Sequence, residues 1–254
     1  MLFAVISGYQ SIREVILGLL SNAHKLPHLG LKFVVKCSTL SDANIRCKSA
    51  VFGDIYNEVY REYASDLADS LLSKLDIKRL YAMDSTTITL FKEILKGCVR
   101  NPIEGKKKGG IKAHTIIDMN NRMPCFVRYT EAARHDHVLL AEVKLESGSF
   151  IVFDRGYVDY KQYERFTLDG VFYVTRLKDN ASFENGKEFD ILEDADSGVL
   201  KDEGITVFYG EKGKQKHRCR RIAYWDDTNK KLFVFVSDNF EMSAENIALI
   251  YKLR

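Results

Sequence analysis

The chain has 254 residues, of which 46% are hydrophobic and 29% charged, with only 3 prolines. This composition fits a folded protein and excludes a long disordered or linker-rich one. Lys and Arg number 38 against 35 Asp and Glu, a formal net charge of +3, which is too slight a bias to point to a polyanionic partner by itself.

No run approaches the roughly 20 apolar residues that span a bilayer. Met1 to Gly8 has neither the basic leader nor the small-residue cleavage site of a signal peptide. Cys37, Cys47, Cys98, Cys125 and Cys219 are odd in number, widely spread and without a CxxC pair. They read as reduced thiols of a cytoplasmic protein, not as a disulfide frame or zinc knuckle.

The first 75 residues read as helical. Ser11-Ile-Arg-Glu14 has the capping-box pattern. Ile12, Val15, Ile16, Leu19 and Leu20 follow at helical spacing. A turn around Pro27 and Gly30 ends that unit. Ser38 and Thr39 are candidate caps for a short helix through Arg46. Phe52, Ile55, Tyr56, Val59, Tyr60, Tyr63 and Leu67 then mark one side of a longer helix. The order suits a helix-turn-helix DNA-binding unit, but spacing alone favours a small helical bundle packed on the next domain.

The pattern changes near Lys78. Leu80 to Met83, Ile111 to Ile117 and Pro124 to Tyr129 are strand-like, and His137 to Leu145 reads as helix. Phe150 to Phe153 is a continuous apolar run, as expected of a strand buried on both faces. Tyr160 to Leu168 reads as helix and Val171 to Val174 as another buried strand. Three meandering strands feeding βα units predict a mixed α/β sheet. From about Asp179 to Asp238 the chain reads as a β-rich insertion, with strands at Arg221 to Trp225 and Leu232 to Val236. Ser243 then caps a final helix from Ile247 onward.

Charge is clustered. Lys106, Lys107, Lys108 and Lys112 lie in a glycine-rich segment. Lys212, Lys214, Lys216, Arg218, Arg220 and Arg221 surround His217, after an acidic stretch of Glu188, Asp190, Glu193, Asp194 and Asp196. Two basic patches on a near-neutral chain suit a protein that grips a polyanion. Two solvated loops account for the charge equally well.

Two carboxylates stand out. Asp84 follows the first strand run and Asp154 follows Phe150 to Phe153. Carboxylates at the ends of neighbouring buried strands repel unless a cation lies between them. Mg²⁺ takes oxygen ligands and often uses only one or two protein carboxylates. Two such ions, roughly 3.5–4 Å apart, can clamp an in-line phosphoryl displacement. Either aspartate taken alone is better explained as the opener of a turn.

The surrounding words add weight. Tyr81-Ala-Met-Asp-Ser-Thr-Thr-Ile88, Gly109-Gly-Ile-Lys-Ala-His114, Glu131-Ala-Ala-Arg-His-Asp136, Phe153-Asp-Arg-Gly-Tyr157, Tyr173-Val-Thr-Arg-Leu-Lys-Asp-Asn180 and Ile250-Tyr-Lys-Leu-Arg254 occur in one order. Together they resemble the DDE transposases of bacterial insertion sequences, in the insertion sequence 4 family, over nearly the whole chain. The resemblance implies a ribonuclease H-like mixed sheet over 76–254 with a β-rich insertion at 179–240, preceded by an N-terminal helical, candidate DNA-binding region over 1–75.

It also implies an Asp, Asp, Glu triad holding Mg²⁺ (or Mn²⁺), with Asp84 and Asp154 as catalytic and metal-binding residues. The family's Glu lies in a motif of Tyr, two residues, Arg, three residues, Glu. Tyr251 and Arg254 match its first two members, and the Glu falls four positions beyond Arg254. The expectation is a truncated chain with little or no catalytic activity, and Met1 falls inside the family's helical region. The implied partners are double-stranded DNA, as transposon ends and target, and a second copy of the chain on DNA. The implied location is the bacterial cytoplasm, at the nucleoid, with no membrane. Alternative readings are a non-catalytic DNA-binding fragment that inhibits transposition, and a metal-dependent nuclease that cleaves without joining.

Lys106, Lys107, Lys108, Lys112, His114, Arg176, Lys178, Tyr251 and Arg254 are the candidate DNA-binding residues. For Lys112 and His114 an exposed strand face is an equal alternative. His135-Asp-His137 has metal-ligand character without matching His or Cys elsewhere, so Asp136 reads as a cap or structural support. Trp225, the one tryptophan, reads as core more than as a base-stacking residue.

Overall fold

The computed structural model describes residues 2–63, 75, 77, 79–90, 109–191 and 197–254. Lys106, Lys107, Lys108, Leu67, Cys98 and the acidic Glu193, Asp194 and Asp196 lie outside the described residues. The chain divides into two units, Met1–Tyr63 and Ala64–Arg254.

The first unit holds α1 (Leu2–Ile6), α2 (Ile12–Ser21), a 3₁₀ segment (Ala23–Leu29), α3 (Cys37–Arg46) and α4 (Ala50–Tyr63). Ser11 caps α2, its Oγ accepting the Glu14 N–H at 3.2 Å. The Glu14 carboxylate reaches back one residue further than a capping box requires, accepting the Gln10 N–H at 2.7 Å. Ser38 and Thr39 do not cap α3. The helix starts at Cys37, and the cap position falls on Lys36, which makes no side-chain cap bond.

The second unit is built on one nine-stranded sheet. Its strands are β1 (Leu80–Leu90), β2 (Gly109–Asp118), β3 (Met123–Glu131), β4 (Phe150–Phe153), β5 (Phe172–Arg176), β6 (Phe183–Glu188), β7 (Val199–Tyr209), β8 (Gln215–Asp226) and β9 (Lys231–Ser237). They are ordered β3-β2-β1-β4-β5-β9-β8-β7-β6. β1, β4 and β5 are parallel neighbours, and the other pairs are antiparallel. This is a mixed α/β sheet, as expected of a ribonuclease H-like fold: a three-stranded meander, then parallel strands β4 and β5 joined by α5 (Tyr160–Leu168). α6 (Ala244–Lys252) follows β9.

Side chains alternate along strands, and the alternation sorts the core. Tyr81, Met83, Ile151, Phe153 and Tyr173 pack with Leu139, Leu140, Tyr163 and Phe166, on the face covered by α5. Leu80, Ala82, Phe150, Val152 and Val174 pack with Ile247, Ala248, Ile250 and Tyr251, on the face covered by α6. All four residues of β4 are therefore buried. Each such large side chain stabilises the fold by roughly 1.5–3 kcal/mol.

The β-rich segment holds β6 to β9, with β9 paired to β5. Two expectations change. The helix expected over His137 to Leu145 is a 3₁₀ segment, Asp136–Glu142, without a side-chain cap at His135. The second basic cluster is not one patch, because it lies on β8 and alternates. His217 and Arg220 are buried. Arg220 forms a bidentate pair with buried Asp202, at 2.8 and 2.5 Å, and Arg221 pairs with buried Glu203. Lys214, Lys216 and Arg218 remain exposed.

Candidate active site

Met83 of β1 and Phe153 of β4 face each other across the parallel pair. Both point to the α5 face, so the next residues, Asp84 and Asp154, point to the α6 face. Adjacent strands lie about 4.8 Å apart, so the two carboxylates emerge side by side at the ends of the parallel register. Asp154 leaves the strand and caps a 3₁₀ turn, Arg155–Tyr157, by accepting the Arg155 N–H at 2.7 Å.

Three more groups reach the pair on this face. Arg176 is two residues beyond Val174 on β5, and its Nε and Nη2 donate to Asp154 Oδ1 at 3.1 and 2.5 Å. From α6, the Tyr251 hydroxyl donates to the same oxygen at 3.4 Å, and Arg254 Nη1 lies 3.7 Å from Asp84 Oδ2. The guanidinium of Arg176 also stands 5.9 Å from the centre of the Tyr251 ring, within cation–π range.

Burial pushes the Asp154 carboxyl pKa up. The hydrogen bonds from Arg176 and Arg155, with the positive charges of Arg176 and Arg254, outweigh it and hold the carboxyl below its ordinary value. Asp154 therefore stays ionised although its side chain is only 35% exposed, whereas that of Asp84 is 73% exposed. Asp84 and Arg254 line a groove of about 490 Å³ with Thr86, Thr115 and Ile117 from β1 and β2.

The donor chemistry fits a hard divalent cation: two carboxylates on one face, in a setting that already attracts guanidinium groups. Among the described residues, no group of three or more His, Cys, Asp and Glu converges.

The other candidates divide. Arg176, Tyr251 and Arg254 join the pair. Lys178 is exposed and lines an adjoining surface groove with Arg155, Gly156 and Asn180. Lys112 and His114 are not brought to the groove. His114 pairs with Ser85 and Lys112 with Thr87, so both face the α5 side, where His114 is 1% exposed. His135 and His137 stack on each other at 5.6 Å. Trp225, next to last in β8, is exposed and not the core residue expected, since its side chain lies toward solvent at the strand's end. Sequence reasoning did not single out Ser85 and Tyr157, although each sits within three residues of a selected aspartate.

Comparison with known proteins bears on what this arrangement does. The family described as "Transposase DDE domain" matches residues 76–254, and a domain of unknown function, DUF4372, matches residues 1–32. A "Probable transposase for insertion sequence element IS5377" of Geobacillus stearothermophilus is 29% identical over 177 residues, 70% of this chain and 45% of its own. A "Putative transposase y4zB" of Sinorhizobium fredii is 28% identical over 217 residues, 85% of this chain and 58% of its own. The chain spans about half the length of these curated relatives. Among solved structures, a piggyBac transposase synaptic complex with hairpin DNA aligns with 68% of this chain and 37% of its own, at 9% identity and a TM-score of 0.38. The NurA nuclease of Sulfolobus solfataricus aligns with 84% of each chain, at 9% identity and a TM-score of 0.31.

Proposed function

The chain belongs to the transposase DDE domain family, and from that premise we propose that it carries the carboxylate pair of a metal-dependent DNA strand-transfer enzyme of the insertion sequence 4 family. Asp84 and Asp154 are the metal ligands, and Mg²⁺ or Mn²⁺ is the cation. When bound, the cation supplies charge stabilisation at a phosphodiester and activates the attacking oxygen. The observation that carries this reading is the shared face of Asp84, inside β1, and Asp154, after β4, one residue beyond the last parallel pair of the two strands.

The chain's own residues have separate tasks. Arg176 keeps Asp154 ionised and oriented. With Arg254 and Lys178 it presents positive charge beside the carboxylates, where a DNA phosphate is to lie. Tyr251, buried against Phe235 at 4.8 Å, anchors α6 so that Arg254 reaches Asp84. The substrates are double-stranded transposon ends and target DNA, brought together by two copies of the chain at the bacterial nucleoid. The reaction is hydrolysis of one strand, then attack of the freed 3′-hydroxyl on a second phosphodiester.

On the motif's spacing the family's Glu follows Arg254 by four positions, so residues 1–254 supply two of three carboxylates. A polypeptide of these residues alone is expected to bind DNA and cleave it poorly or not at all.

The test is strand cleavage and joining on the cognate transposon end with Mn²⁺. The 254-residue polypeptide is expected to bind without turnover, and the same polypeptide extended through the Glu is expected to cleave and join. Robust cleavage by residues 1–254 overturns the inactive reading. Cleavage without joining by the extended chain points to a nuclease instead.

A further inference from the structure

Behind the groove, on the α5 face of the sheet, lies a polar cluster to which the reading above gives no role. Asp136 Oδ1 accepts from Lys112 Nζ at 2.9 Å and from Ser85 Oγ at 3.2 Å, and stands 3.8 Å from His114 Nδ1. The Asp136 side chain is one-quarter exposed and that of Lys112 less, so the pair is largely shielded from water.

His114 extends the cluster. Its Nε2 lies 2.9 Å from Thr130 Oγ1, and that hydroxyl donates to the Glu131 carbonyl. Nε2 therefore carries the ring proton. Nδ1 accepts from the Tyr157 hydroxyl at 3.3 Å. Burial lowers the His114 pKa against the opposing pull of Asp136, and with Nδ1 accepting from Tyr157 the neutral ring packs beside Asp136 without donating to it.

Both ends of the cluster adjoin the two acids. Ser85 directly follows Asp84 and donates its own N–H to Asp84 Oδ1 at 2.8 Å. Tyr157 closes the turn that Asp154 opens, its N–H donating to the Asp154 carbonyl at 3.0 Å. Asp136 comes from a third element, the 3₁₀ segment after β3. Hydrogen-bonded polar groups rigidify the backbone they join, and metal sites depend on groups behind the ligands to hold them in place.

We propose that Asp136 is a positioning residue: by holding Ser85 it fixes Asp84 in place beside Asp154 for a divalent cation bound on the opposite face of the sheet. This rests on the reading of Asp84 and Asp154 as the cation's ligands.

The test is Mn²⁺ titration of the 254-residue chain by calorimetry, with thermal unfolding followed in parallel. Asp136→Ala and Ser85→Ala are each expected to weaken Mn²⁺ binding about tenfold. Asp136→Asn keeps an acceptor oxygen for Ser85 and Lys112 and is expected to recover most of that loss. A purely structural role lowers the melting temperature but leaves Mn²⁺ affinity unchanged at temperatures where the variant is folded. Should Asp136→Ala not fold, Ser85→Ala carries the test, since it removes one hydroxyl and leaves the Lys112–Asp136 ion pair. Wild-type affinity in Ser85→Ala, or in a folded Asp136→Ala, overturns the proposal. A wild-type chain that binds no Mn²⁺ overturns the carboxylate-pair reading first, and this inference with it.

Discussion

Asp84 and Asp154 stand one residue beyond Met83 and Phe153, which are paired across parallel β1 and β4, yet only Asp154 is clamped by a guanidinium at hydrogen-bonding distance. This asymmetry separates their variants. Asp84→Asn is expected to lower Mn²⁺ affinity at least about tenfold and to change stability by no more than about 0.5 kcal/mol, the range for exposed sites. Asp154→Asn is expected to lower Mn²⁺ affinity at least as much. It should also lower the urea midpoint, because Arg176 loses its anion. Calorimetry and urea unfolding on the same samples check both.

Arg176 and Arg254 supply positive charge where a phosphate is proposed to sit. Each replaced by Ala is expected to weaken DNA binding across all sequences and to reduce the slope of log K against log salt by about 1. Arg176→Lys is not expected to restore the wild type, because an ammonium cannot reproduce the two-nitrogen grip on Asp154 Oδ1. Fluorescence anisotropy at several salt concentrations measures the slope. Lys112→Ala should leave it unchanged, since Lys112 is held by Asp136 and the Arg134 carbonyl on the opposite face.

Inside the β-rich segment, Arg220 is tied to Asp202 and to the carbonyls of Asn239 and Met242. Asp202→Ala leaves that guanidinium buried without its counter-charge and is expected to cost about 3–5 kcal/mol. Lys216→Ala and Arg218→Ala, at exposed positions on the same strand, should stay within about 0.5 kcal/mol. Equilibrium urea unfolding distinguishes the two classes.

That contrast shows what the sequence could and could not reveal. β4 and α5 were legible to the residue, because a four-residue apolar run and a regular helical stripe each have one reading. β7 was not, because Asp202, Glu203 and Gly204 interrupt its apolar pattern. Its acids are buried only because Arg220 and Arg221 face them from β8, and sequence alone does not show that the basic run is their partner. At the candidate site, the face shared by Asp84, Asp154 and Arg176 follows from alternation along three strands once their registers are known. The same alternation turns Lys112 and His114 away, and register between distant strands is what a single sequence withholds.

Asp238 gives a pH signature. Burial raises its carboxyl pKa to about 6, against the stabilising bonds from Thr167 and the Tyr173 N–H. The folded value lies above the unfolded one, so the folded state binds the proton more tightly. The resulting stability is complete below about pH 4 and is lost as pH rises through about 6. Asp238→Asn can still accept from Tyr173, while the Thr167 hydroxyl turns fully to the Tyr163 carbonyl, 3.1 Å away. The variant is expected to be more stable than wild type at pH 7 by about 1–3 kcal/mol, with the difference vanishing near pH 4. Urea unfolding across that range checks it.

The central claim is that Asp84 and Asp154 jointly hold a divalent cation. Anomalous diffraction from crystals of the chain soaked in Mn²⁺ tests it most directly. The account predicts a manganese peak within coordination distance, roughly 2.0–2.3 Å, of a carboxylate oxygen from each aspartate. A peak bound elsewhere, or none at a concentration that saturates binding in solution, contradicts it.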